Sequence, residues 1–115
     1  MVFHNCYPNK SNVIIKDWML DQRTEILQSV LDSRIRELPN LLRSIKKGMK
    51  TVWKYQNDYD FLYGWCIGRL EYILYNEFKV LWGKTAPDED WFIIRDLLEL
   101  RRKQINKIID EVLTN

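Results

Sequence analysis

Apolar residues recur along most of this chain at spacings of three, four and seven, the period of a helix with one buried face. Nowhere do they alternate with period two for long enough to suggest a strand. Prolines and glycines are few and separated (Pro8, Pro39, Gly48, Gly64, Gly68, Gly83, Pro87), which leaves long stretches open to helix. The pattern predicts an all-α fold, with an N-terminal arm over residues 1–15 and one antiparallel helical-bundle domain of about four helices over residues 16–115. A chain of 115 residues can bury such a core without a metal or disulfide staple.

The first predicted helix runs from about Lys16 to Leu38 and carries Leu20, Leu27, Leu31, Ile35 and Leu38. It is expected to stop or kink there, because the residue before a proline is pushed out of the helical region. Pro39 suits the first turn of a second helix, whose stripe is Leu42, Ile45, Met49 and Trp53. The third helix is expected from Asn57 or Asp58, either of which can cap it, to about Trp82, with Gly83 closing it in a left-handed conformation. In TAPDED, Thr85, Pro87 and the acids Asp88, Glu89 and Asp90 signal the start of a fourth helix. Its seam is Trp91, Ile94, Leu98, Ile105, Ile108 and Val112, broken by Arg101.

The third helix contains FLYGWCIGRLEYILYNEF, the most apolar and aromatic stretch of the chain. Leu62, Cys66, Ile73 and Val80 define one face, while Phe61, Trp65, Tyr72, Tyr75 and Trp82 spread over another, so the helix is apolar nearly all round. Such a helix is either central in its bundle or covered by a second chain. Gly64 and Gly68 leave a shallow groove open to another backbone. Phe61, Trp65, Gly68, Tyr72, Tyr75 and Trp82 are therefore the expected interface with a protein partner or a second copy; the alternative is that side chains of the neighbouring helices cover them. Arg69 lies on the apolar stripe, and an unpaired charge there is costly, so Asp96 or Glu99 is expected beside it in a buried ion pair.

Trp65, Arg69-Leu70 and Ile73 fit an aromatic-x-x-x-Arg-Leu-x-x-Ile pattern, and APDEDWF, Ala86 to Phe92, looks like the Ser-Pro-Glu-Glu-x-x-Phe start of a following helix. Together they resemble the helical A domain of the GINS proteins, subunits of the replicative helicase assembly, over about residues 58–100. The resemblance implies a scaffold whose helices pack against sister subunits, the helicase ring and a RecJ-like partner, in a divergent chain of archaeal or viral type. GINS subunits normally add a small β-rich B domain, and no segment here suits one.

Composition narrows the remaining choices. Apolar residues at 46% and charged residues at 30% are the balance of a folded domain. Arg69, Glu71 and Glu77 interrupt the aromatic stretch, which argues against a membrane span. Cys6 and Cys66 have no framework spacing and MVFHNCYPNK has no secretory pattern, so a reducing cytoplasmic setting is expected.

One histidine, His4, rules out a two-histidine metal site within one chain, and His4-x-Cys6 could complete a zinc site only across chains. Glu71 and Glu77, six apart, face different ways, and Asp88, Glu89 and Asp90 read as a helix start before a magnesium site. No phosphate loop is present; neither an enzyme nor a metal or cofactor is expected. Net charge is only +2, yet Arg43, Lys46, Lys47, Lys50 and Lys54 lie in an acid-free window between Glu37 and Asp58. Lys46, Lys50 and Lys54 share one helix face, a ridge that is either solvated or tracks a nucleic-acid backbone with Trp53 or Tyr55 stacking on a base.

Overall fold

The computed structural model describes residues 22–83 and 87–114, with side chains over 22–83 and 92–114. The N-terminal arm, the helix start at Lys16 with Leu20, His4 and Cys6, the Thr85 cap, and the side chains of Asp88, Glu89, Asp90 and Trp91 lie outside that set. The described residues form an all-α bundle of four helices: α1 (Gln22–Val52), α2 (Asp58–Trp82), α3 (Pro87–Leu100) and α4 (Arg102–Thr114). The described residues contain no strand.

The number of helices agrees with the sequence pattern, but two boundaries move. The expected break at Leu38 does not occur: α1 runs through Pro39 without interruption. Pro39 has no N–H to donate to the carbonyl of Ile35, and its ring crowds the preceding turn. Against that local cost, Leu27, Leu31, Ile35, Leu38, Leu42 and Met49 keep one buried row on both sides of the proline. Tertiary packing of that row holds the helix in register, as it commonly outweighs propensity.

The second change is at Arg101, where the expected fourth helix divides into α3 and α4. The Arg101 N–H bonds to the Leu98 carbonyl at 3.0 Å, a tight three-residue turn, and the Ile105 N–H then returns to the Arg101 carbonyl at 3.0 Å. The seam is also reassigned: Leu97 and Ile109 are buried at 1% and 0% exposure, whereas Ile108 only packs at its edge.

The ends of α2 are those expected. Asn57, in extended backbone, accepts a 2.9 Å hydrogen bond at Oδ1 from the Asp60 N–H, satisfying one donor of the first turn. Gly83 has φ 72° and donates its N–H to the Lys79 carbonyl at 2.8 Å.

Helix α2 packs against α1, α3 and α4, more extensively than any other described helix does, and so is the central element. Its core row is Leu62, Cys66, Leu70, Leu74 and Phe78, at an unbroken spacing of four. The expected face of Leu62, Cys66, Ile73 and Val80 is thus half right: Val80 is 77% exposed, and Ile73 lies between core and solvent. Arg69, expected on the buried stripe in an ion pair with Asp96 or Glu99, is exposed and its guanidinium lies 5.7 Å from the Trp65 ring. Solvation removes the need for a buried counter-charge.

Candidate functional site

With 100° between successive residues, the core row of α2 centres about 170° from a second row: Phe61, Trp65, Gly68, Tyr72, Tyr75, Lys79 and Trp82. Their spacings alternate four and three, the heptad signature of a helix that packs against another helix. All six residues expected at an interface fall on this row, and the structure adds Lys79, which hydrophobic pattern reading passes over. Tyr72 is 69% exposed, and Gly68 and Lys79 are exposed beside it. Phe61, Trp65, Tyr75 and Trp82 are half-buried, each leaning on the core with part of its ring outward.

The rings are held by specific neighbours. Phe61 packs against Tyr55 and Trp53 with centroids 4.6 and 5.2 Å away. Trp82 stacks on Phe78 at 4.1 Å, and the Arg23 guanidinium covers the Trp82 ring at 4.3 Å. The Lys79 ammonium sits 5.0 Å from the Tyr75 ring. Among the described residues, nothing lies within 4 Å of a Cβ built at Gly68. There Gly68, Glu71, Tyr72 and Tyr75 line a hollow of about 240 Å³, large enough for one aromatic side chain.

Beside this row lies Glu71, whose carboxyl pKa is raised by burial and partly drawn back by the Arg95 charge. Cys66, on the core row, has its thiol pushed up to about 12 by burial, against a weak lowering by Arg69. Such a thiol is inert packing, not a nucleophile. No group of three or more His, Cys, Asp or Glu able to hold a metal ion occurs among the described residues. Nor, among them, is any helix long and apolar enough to cross a membrane.

The basic ridge is divided by the fold. Lys46 turns inward, donating from Nζ to the Val112 carbonyl at 3.0 Å, where it caps the C-terminal turn of α4. Arg43 donates to Asn40 Oδ1 at 2.9 Å. Lys47, Lys50 and Lys54 remain exposed. Lys50 and Lys54 reach a cleft of about 370 Å³ after the end of α1, also lined by Trp53, Tyr55, Gln56 and Asp58. Trp53 is 41% exposed there. The Tyr55 hydroxyl is enclosed beside Asp58, and burial, then the Asp58 charge and a hydrogen bond with it, raise its pKa. Spacing alone could not separate Lys46 from its neighbours, because its acceptor comes from a helix 66 residues away.

Compared with protein-family models, curated proteins and solved structures, the chain gives no match.

Proposed function

We propose that this chain is a non-enzymatic helical protein–protein interaction module. The observation that carries the reading is the outward row of α2, an aromatic heptad seam of about three turns of seven with a hollow at Gly68. Exposing Tyr72 to water on the bundle's central helix serves no packing purpose within the chain. The resemblance of residues 58–100 to the GINS A domain gives the proposal its most specific form, a subunit of a cytoplasmic DNA-replication assembly of archaeal or viral type. Purified chain, immobilised and probed with purified GINS subunits and replicative helicase, tests that form. Retention that Tyr72→Glu abolishes supports it; no retention of either protein dismisses the replication role.

A second reading, nucleic-acid binding, rests on exposed Trp53 beside Lys50 and Lys54. An indole flanked by cations can stack on an unpaired base while the lysines meet phosphates. This site is smaller than the ridge legible in sequence, since Lys46 serves α4. Fluorescence anisotropy with a single-stranded oligonucleotide should detect binding at low salt that Trp53→Ala weakens and added salt suppresses. Absence of binding at low salt removes this reading.

A further inference from the structure

We infer that the partner of the α2 row is a second copy of this chain, docked antiparallel through the same row. The inference rests on the interaction-module reading and specifies its occupant. In an antiparallel helix pair, a residue of one heptad position faces the other seam position of the partner, so facing residue numbers share a constant sum. Turning one copy end over end about the level of Leu70 makes that sum 140.

The facing pairs then complement one another in size and charge. Tyr72 of each copy meets Gly68 of the other, a large ring against the one seam residue without a side chain. The hollow in front of Gly68 is about 240 Å³, and each copy supplies the ring to fill the other's. Trp65 meets Tyr75, an aromatic pair that occurs twice by symmetry. Phe61 meets Lys79, whose methylenes cover the ring while its ammonium reaches Asp60, one residue away on the facing helix. The first turn of α2 carries Asp58 and Asp60 and its last turn carries Lys79, so antiparallel docking joins acid to base at both ends and parallel docking sets like against like. Exposed Trp53, in contact with Phe61, extends the patch at each end.

Crosslinking tests both partner and register. In a Cys6→Ser background, Gly68→Cys and Tyr72→Cys chains are prepared separately, then mixed and oxidised. Both positions are exposed, so circular dichroism should show an unchanged helical fold. The expected result is disulfide-linked dimer in the mixture, at least roughly tenfold above either chain alone, and none for the exposed off-row control Val80→Cys. The Tyr72→Glu variant should raise the dissociation constant by at least about thirtyfold. Self-links within the separate Gly68→Cys and Tyr72→Cys samples would mean parallel docking, and a Val80→Cys dimer would mean a different face; either overturns the arrangement. A chain that is monomeric at every concentration overturns self-association, yet leaves the interaction-module reading to a partner of another sequence.

Discussion

Arg101, in the turn between α3 and α4, pairs through its Nη2 with the carboxylate of Asp32 in α1. Its side chain is 23% exposed and that of Asp32 49%, so the pair sits at the edge of the bundle and is only partly screened by water. By closing the turn onto the long helix it fixes where the seam of α3 hands over to that of α4. Arg101→Ala should cost about 1 kcal/mol, seen as a lower urea midpoint. Asp32→Asn should cost a similar amount, and the double variant little more than either alone, because both remove the same interaction. Full additivity would show the two residues to be energetically independent.

Pro39 is a local defect that packing overrides. Pro39→Ala restores an N–H for the Ile35 carbonyl and removes a steric clash, at a position that is only half-buried. The variant should be more stable by about 1–3 kcal/mol, measured in urea. A loss of stability would mean that the proline shapes α1 in a way the bundle needs.

The two faces of α2 differ sharply in energetic weight. Leu74 is fully buried, and Leu74→Ala should cost about 2–5 kcal/mol through lost transfer energy and a cavity. Val80, at 77% exposure, should tolerate Ala within about 0.5 kcal/mol. Equal effects at the two positions would contradict the assignment of the core row.

Much of this arrangement was legible in the sequence, and the misses have physical causes. The caps of α2 were readable because Asn57 and Gly83 act on their own backbone, through contacts only three or four residues long. The proline at position 39 speaks only of local preference, and nothing local announces the packing that keeps α1 whole. On α2 the difficulty was an excess of signal. Apolar residues nearly all round the helix leave the direction of the core face open: Leu62, Cys66, Ile73 and Val80 hold one direction, whereas the true core row turns by about 40° every four residues through Leu70, Leu74 and Phe78 and leaves Val80 in solvent. Arg69 shares the direction of Leu62 and Ile73, and so reads as buried from spacing although it is exposed. Lys46 illustrates the opposite case, an ordinary surface lysine by spacing that the fold recruits to the end of α4.

Stability should fall in alkali. The Cys66 thiol, ordinarily near 9.0, titrates at about 12 in the folded chain because burial disfavours the thiolate. Tyr59 is raised by burial and by Asp110, and Tyr55 by burial and Asp58. A raised folded pKa means that the unfolded chain releases its proton first. The Cys66 contribution is therefore fully present below about pH 9 and is lost progressively as pH rises toward 12. Urea midpoints should decline across that window, and Cys66→Ala should flatten the decline. In the Cys6→Ser chain, thiol reagents should modify Cys66 only as fast as the fold opens; rapid modification under native conditions would place the thiol at the surface.

Burial of the outward row of α2 by a second copy of the chain doubles the mass of the species in solution. The most direct test is the absolute mass of the purified protein by light scattering across a dilution series. The arrangement predicts twice the chain's 14.0 kDa at high concentration, dissociating on dilution, with Tyr72→Glu at one chain mass throughout. A mass of one chain at every concentration for the unaltered protein would contradict it.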